Sequence, residues 1–191
     1  NHKYLIAYST IDDDFDTDNG YSGLNQYGIA LRDSDYYDLT YSLSSGSSTS
    51  EAFESDNEAT GTAAVSPYTN AVFSNFTLVG PVPVGTKYSE LNSTAKSAFR
   101  RGARIRRNSS LRVVNSIFMG YRNFVMVDGD SSLRNTNYDG ILPFVTPNTA
   151  VDQKTKQLFF TNNLIVNTNA AYTSATDTTA NGLVEVARGS K

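Results

Sequence analysis

The most constraining feature of the sequence is a pattern that occurs three times: apolar residues, an Asn and a second apolar stretch. The segments are VFSNFTLV at 72–79, RVVNSIFM at 112–119 and FFTNNLIV at 159–166. Their asparagines, Asn75, Asn115 and Asn162, are separated by 40 and 47 residues. Periods of about 20–50 residues are typical of solenoids, whose repeats bury an apolar face against each other. The pattern predicts rungs of a parallel β-helix, each separation being one long rung or two short ones.

The three asparagines also suggest how the rungs are held in register. A buried Asn at a turn can hydrogen-bond to the Asn of the next rung, and repetition produces a ladder. We therefore expect Asn75, Asn115 and Asn162 to point inward at equivalent turns. The alternative is coincidence in an Asn-rich sequence.

Other segments fit a single all-β domain over residues 1–191. Strand patterns occur at 4–8, 26–31, 103–107 and 123–127, and polar turns divide residues 103–127 into three short runs. One helix is predicted over 94–101, capped by residues 92–93 and ended by Gly102. Ser/Thr/Gly/Asn-rich segments near 41–63 and 167–182 are predicted to be long loops. A β-sandwich is the alternative fold, because short strands with polar turns also suit it.

The amino-acid composition argues against several kinds of functional site. The chain has no Cys, so disulfides, thiolate metal sites and a Cys nucleophile are excluded. Its single histidine, His2, argues against a His-based triad or a multi-His zinc site. No apolar run approaches the ~20 residues of a membrane helix. Because the chain opens at Asn1 directly into a strand pattern, we expect it to be a piece of a longer solenoid.

An acidic run at 12–18 is the strongest candidate for a metal site. Asp14, Asp16 and Asp18 alternate along it and Gly20 follows, as in loops where carboxylates converge on a calcium ion. The spacing is not that of an EF-hand, since no Glu stands at the twelfth position. We expect Ca²⁺ as the cofactor at these three residues; the alternative is a solvated acidic turn.

Charge is segregated along the chain. Residues 1–60 contain 12 acids and 2 bases, whereas residues 61–191 contain 7 acids and 14 bases. The basic part includes Arg104, Arg106 and Arg107, which are candidate ligands for an anionic group because Arg binds carboxylates in a bidentate manner. The alternative, which we favour, is that these arginines pair with the acidic half. An acidic chain without a recognised motif argues against nucleic acid as a partner.

Tyrosines in polar surroundings are candidate contacts for a sugar or a protein partner. They are Tyr36, Tyr37, Tyr41, Tyr88, Tyr121, Tyr138 and Tyr172. From its polar surroundings we expect Tyr121 to be exposed, and we take it, with the three arginines above, as a candidate ligand-binding residue. The alternative is that these are ordinary surface tyrosines.

Several strings occur together and in order over residues 4–127. They are DDDFDTD at 12–18, QYGIALRD at 26–33, FESDN at 53–57, FSNFTLVGP at 73–81, RN at 107–108 and NSIFMGY at 115–121. The set resembles uncharacterised secreted or outer-membrane parallel β-helix proteins of Bacteroidota, of the hypothetical-protein, lipoprotein or secretion-system cargo type. The resemblance implies a right-handed parallel β-helix of the pectate-lyase-like superfold, further rungs on both sides, and an extracellular or cell-surface location in a Gram-negative bacterium. It implies no reaction.

Two functions are the main candidates, with a glycosidase that uses a pair of carboxyls as a minor third. The first is a non-catalytic surface scaffold that binds a glycan or an outer-membrane or surface protein partner, stabilised by calcium. The second is a calcium-dependent lyase acting on an acidic polysaccharide, because Asp clusters and Arg-rich strands are the residue types such a reaction needs. We favour the first, since the acidic run and the basic run are far apart in sequence and fold alone does not establish function.

Overall fold

The chain alternates between two parallel sheets. The computed structural model describes residues 1–37, 49–58, 65–83, 85–133, 135, 158–166 and 184–187. Sheet A contains β1 (His2–Tyr8), β3 (Leu24–Leu31), β5 (Val72–Val79), β7 (Arg112–Val114), β8 (Ile117–Met119), β10 (Phe159–Thr161) and β11 (Leu164–Val166). Sheet B contains β2 (Phe15–Thr17), β4 (Phe53–Ser55), β6 (Arg101–Ile105), β9 (Asn123–Asp128) and β12 (Val184–Ala187).

Every strand pairing within the two sheets is parallel, and each rung contributes one segment to each sheet. This topology is a parallel β-helix, as the sequence predicts. The β-sandwich alternative is wrong, because the strands of a sandwich are mainly antiparallel.

The three asparagines occupy equivalent positions. Ser74 and Thr77 pair with Val114 and Ile117, which places Asn75 beside Asn115. The next rung continues in the same register, which places Asn162 beside Asn115. Each separation in sequence is therefore one long rung.

The direction of these asparagine side chains is opposite to the prediction: they are exposed. Their backbones are left-handed, with φ of 60°, 51° and 55° for Asn75, Asn115 and Asn162. Asn adopts this conformation more readily than most residues. Tyr4 and Tyr27 continue the same column with φ of 59° and 60°. We call these five residues the kink column.

A polar ladder does exist inside the helix, one residue after the kink. The kink residue points to solvent, so its successor points inward. The Phe76 amide donates to Ser116 Oγ at 3.1 Å, and the Ser116 amide donates to Asn163 Oδ1 at 2.9 Å. A direct Asn–Asn contact lies at another corner, where Asn135 Nδ2 donates to Asn108 Oδ1 at 2.8 Å.

Aromatic rings fill the space between the sheets. Phe53 lies 4.7 Å from Phe73 and 6.0 Å from Phe118, measured between ring centroids. Gly28 makes room for this stack, since a Cβ there would lie 1.9 Å from the ring of Phe76. Residues from successive rungs thus form one continuous core.

The predicted helix and loops are corrected in detail. Helix α1 spans Ser93–Ala98 and is capped by Asn92, whose side chain accepts from the Ala95 amide, but Gly102 lies within β6 and does not end the helix. A 3-10 turn at Tyr88–Glu90 and the short helix α2 at Asp130–Leu133 complete the elements that the structure describes.

The segment 41–63 contains β4, so it is not one loop, whereas 167–182 lies outside the described residues. No described helix is both long enough and apolar enough to cross a membrane.

Candidate functional site

The outer face of sheet A is apolar beyond the kink column. Side chains alternate between core and surface there, and two columns run across the rungs on the outside. One column contains Ile6, Ile29, Thr77, Ile117 and Leu164, and the other contains Tyr8, Leu31, Val79, Met119 and Val166. Exposure is highest at the first rung, at 76% for Ile6 and 73% for Tyr8, whereas the residues of the middle rungs are half-buried. Repeated apolar exposure of this kind is a sign of a binding surface.

A groove of about 420 Å³ follows the second column, and we call it the sheet A groove. Its described lining consists of the five residues of that column together with Ser9, Arg32, Asp33, Ser34, Gly80, Pro81, Val82, Pro83, Gly85 and Gly120. Pro81 and Pro83 limit the movement of this lining, and so does the close packing of Gly80 against Gly120. A Cβ at Gly80 would lie 2.7 Å from the carbonyl oxygen of Gly120, so neither segment has room for a larger residue.

Exposed tyrosines lie on the same face. Tyr4 and Tyr27 stack with their ring centroids 5.6 Å apart and their planes 14° apart, and they are 76% and 46% exposed. Tyr8 lies on the same strand as Tyr4 and lines the groove. Flat aromatic rings with a polar hydroxyl are suited to packing against sugar rings or to anchoring a protein interface.

The outer face of sheet B is charged and closed by ion pairs. Arg106 contacts Glu54 at 2.7 Å and Asp56 at 2.6 Å, and Arg107 contacts Asp56 at 2.8 Å. Arg104 pairs with Asp128 at 2.6 Å. These side chains are 7–30% exposed, so the pairs are well shielded from water.

The pairing joins the two oppositely charged halves of the sequence. Glu54 and Asp56, from the acidic half, meet Arg106 and Arg107 from the basic half, as the favoured interpretation of the charge segregation predicts. Adjacent strands β4 and β6 bring them together. Their role as ligand-binding residues, together with that of Arg104, stays a prediction, and any ligand would compete with these carboxylates.

Burial shifts the protonation of two carboxyls near sheet B. Burial raises the pKa of Glu54 to about 7, with the nearby Asp56 and Glu51 carboxylates adding to the shift and Arg106 and Arg104 opposing it. Burial, assisted by Glu54 and Glu51, raises the pKa of Asp13 to about 9. Both carboxyls are thus poised to hold a proton near neutral pH.

The predicted exposure of Tyr121 is wrong. Tyr121 is 1% exposed and belongs to the hydrophobic core. It immediately follows Gly120, where the chain turns from sheet A toward sheet B, and its ring is directed inward. Of the other tyrosines singled out in the sequence, Tyr36 is 58% exposed and Tyr88 is 7% exposed. Tyr41, Tyr138 and Tyr172 lie outside the described residues.

The three predicted calcium ligands line one depression of about 510 Å³ beside the first rung. Asp14 already pairs with Arg32 at 2.9 Å, and both side chains are fully buried. Burial raises the pKa of Asp14 against the opposing effect of that arginine. Asp18 Oδ1 accepts from the Asn19 amide at 2.6 Å. Among the described residues, no group of three or more His, Asp or Glu side chains is arranged to hold a metal ion; calcium stays a prediction.

Sequence reasoning missed the groove because its residues come from five rungs. The signal was nonetheless present in the three repeats: the fourth residue after each Asn is Val79, Met119 or Val166. With the kink residue outside, strict alternation also places that fourth residue outside. An apolar residue repeated at an outward position is the pattern that identifies this surface.

Comparison with known proteins gives one family. A family model described as a pectate-lyase-like beta helix domain matches residues 1–188. Neither the curated proteins nor the solved structures gave a match.

Proposed function

The chain belongs to the family of pectate-lyase-like β-helix domains, and we propose that it is a non-catalytic scaffold that binds a glycan in the sheet A groove. The observation that carries the proposal is the apolar column of the groove, which continues across five rungs and begins at an exposed tyrosine. The family description supports a carbohydrate-related role.

The groove has the dimensions and rigidity that binding an extended chain requires. Strands in a sheet are about 4.8 Å apart, so five rungs extend about 19 Å. The strands beneath are hydrogen-bonded to their neighbours, and Pro81 and Pro83 stiffen one edge of the lining. A preformed surface loses little conformational freedom on binding. Sugar rings would pack on Tyr8 and the aliphatic column.

The part of the groove that the structure describes does not contain the paired groups that glycoside chemistry needs. Hydrolysis requires two carboxyls on opposite sides of the bond, whereas Asp33 supplies the one carboxylate among the described lining residues. A lyase requires a base and a cation beside the sugar carboxylate. Arg32 lines the groove, but it is buried against Asp14. These facts support binding without catalysis.

Binding is tested by titrating soluble glycans into the protein and measuring heat or mobility in affinity gels. Replacing Tyr8 and Leu31 together, as Tyr8→Ala with Leu31→Ser, is expected to weaken binding at least tenfold, or about 1.4 kcal/mol. The matched control is Tyr36→Ala, because Tyr36 is 58% exposed but does not line the groove. Equal losses in both variants, or no glycan binding by the wild type, would refute the proposal. Capture of a surface protein at this groove instead would favour a protein partner.

A lyase acting at sheet B is the second candidate. It is favoured by one observation: Arg104 and Arg106 flank Glu54, whose pKa is raised to about 7. The assay follows unsaturated-product absorbance with polygalacturonate, alginate and glycosaminoglycans in the presence of Ca²⁺. We expect no rate. A rate that disappears in Arg104→Ala or Arg106→Ala would replace the scaffold by the lyase.

For location, we propose the surface of a Gram-negative bacterium, supported by the resemblance to secreted and outer-membrane β-helix proteins. Labelling intact source cells with an antibody against this domain is expected to give a surface signal that protease treatment removes. Signal only after permeabilisation would contradict this location.

A further inference from the structure

We infer that the sheet A groove selects an uncharged polysaccharide and discriminates against an acidic one. The inference rests on the proposed glycan binding and adds the class of glycan. It comes from the charges at the groove, which differ from those that an acidic sugar would require.

The one cation among the described lining residues, Arg32, is withdrawn from the groove. The side chain of Arg32 is fully buried and contacts Asp14 at 2.9 Å. Its other contacts are the carbonyl oxygens of Thr10, at 3.2 Å, and Glu51, at 2.9 Å, and the face of Phe99, whose centroid is 5.0 Å away. The remaining nitrogen, Nε, is buried as well. The guanidinium is therefore neutralised and directed into the protein, where a bound anion cannot reach it.

The exposed charge at the groove is negative. Asp33 lines the groove and is exposed, and it forms no ion pair with any residue that the structure describes. Its Oδ1 accepts from the amide of Asp35, at 2.9 Å, which holds a second exposed acidic residue nearby. The remaining described lining is apolar apart from the hydroxyls of Ser9, Ser34 and Tyr8.

These groups favour an uncharged chain for simple electrostatic reasons. A uronate in the groove would approach Asp33 without a compensating cation, and repulsion at such distances is expected to weaken binding about fivefold at low salt. Salt would screen most of that repulsion. The hydroxyls of a neutral sugar can instead donate to the Asp33 carboxylate and exchange hydrogen bonds with the serines. Sites for acidic ligands present exposed arginine or lysine, which is the opposite arrangement.

The test uses two pairs of glycans that are matched except for the group at C6, which is charged in one member and uncharged in the other: polygalacturonate and its methyl ester, and a C6-oxidised glucan and its parent glucan. Affinities are measured by calorimetry at about 20 mM and 500 mM NaCl, which correspond to long and short screening lengths. For the wild type, we expect the uncharged member of each pair that binds to bind about fivefold more tightly at low salt, with the difference reduced at high salt. Asp33→Asn is expected to reduce the preference, and Asp33→Lys to reverse it.

The outcomes separate the inference from the function. Glycan binding in which the acidic member is equal or stronger at low salt, or in which Asp33→Lys leaves the ratio unchanged, would overturn the inference while the proposed function survives. Failure to bind any of these glycans and any glycan of the wider panel would defeat both. Because Asp33 is exposed, both variants are expected to melt as the wild type does, and Asp33→Asn provides the readout if the lysine variant does not fold.

Discussion

The outer faces of sheets A and B belong to the same coil, but one is apolar and the other is charged. On sheet A, apolar side chains repeat from rung to rung and leave an open groove beside Tyr8. On sheet B, acidic residues in and just after β4 meet an arginine just after β6, and short ion pairs join them. Like residues stack favourably in a column when they are apolar, whereas charges in a column are stabilised when a residue of opposite sign lies opposite them, as Arg104 of β6 lies opposite Glu54 of β4. We propose binding at sheet A, and we expect the ion pairs of sheet B to matter for stability.

Breaking the ion pairs of sheet B is expected to cause the largest loss of stability. Arg106→Met leaves Glu54 and Asp56 shielded from water without their main cation, which should lower the free energy of unfolding by about 3–5 kcal/mol. Denaturant unfolding followed by circular dichroism measures it. The control on sheet A is Tyr8→Ser, where exposure of 73% predicts a change within about 0.5 kcal/mol. Comparable losses in the two variants would remove the contrast between the faces.

The pH dependence of stability should arise on the sheet B side. The folded-state pKa values of Glu54, about 7, and Asp13, about 9, lie above the ordinary values of 4.5 and 3.8. Both groups bind their proton more tightly when folded, so their contribution is complete below about pH 4 and is lost as the pH rises through 7 and then 9. The contribution of Glu54 to the free energy of unfolding should be larger at pH 5 than at pH 8 by about 2 kcal/mol, and the contribution of Asp13 should fall over the same range. Glu54→Gln should make the slope between these values shallower and leave the part that comes from Asp13, and a wild-type stability that rises from pH 5 to pH 8 would contradict the prediction.

Substitutions in the kink column of sheet A are expected to cause a smaller loss of stability. Asn115→Ala places a residue with a Cβ and no polar compensation at φ of 51°, which should cost about 1 kcal/mol. Asn115→Gly is the control, because glycine adopts this conformation freely and should leave stability nearly unchanged. Thermal melting of the two variants side by side measures the difference. Equal melting temperatures would mean that the kink does not depend on the residue.

Binding of calcium is expected to change the stability of the fold the least. We propose that Ca²⁺ binds weakly at Asp14, Asp16 and Asp18, since Asp14 is shared with Arg32. At a concentration equal to the dissociation constant, a bound ion stabilises the fold by about 0.4 kcal/mol, or a melting increase of about 1 °C. A chelator should reverse it, and Asp16→Asn should abolish it without changing glycan affinity. A melting temperature that stays constant up to millimolar Ca²⁺ would count against the site.

The sequence predicted the fold and the register because both repeat along the chain. Asn75, Asn115 and Asn162 mark the kink, since Asn tolerates a left-handed backbone. Tyr4 and Tyr27 occupy the same position without that signature, so the first two rungs were not recognised as part of the column. The side-chain direction was wrong because one left-handed residue shifts the inside–outside alternation by one position.

The charge pairing could be predicted, and the site could not. Acidic and basic segments of opposite net charge must meet or remain solvated, and this logic holds for Glu54 and Arg106 without knowledge of geometry. Burial of Tyr121 depends instead on which way the chain turns after Gly120, and neighbouring polar residues give no information about that. The groove is formed by residues of different rungs that lie far apart in sequence, and a pattern within one short segment gives no information about such contacts.

The constant register of sheet A coexists with very unequal rung lengths. His2 is paired with Asn25, one short rung along the chain, whereas Leu24 is paired with Val72, more than twice as far away. The strands therefore tolerate no change in length, while the corners accept insertions and deletions at little energetic cost. Such a coil can diversify by lengthening its corners while its core sequence stays fixed. For engineering, new loops or whole binding modules are best inserted at the corners and never between a kink residue and the end of its strand.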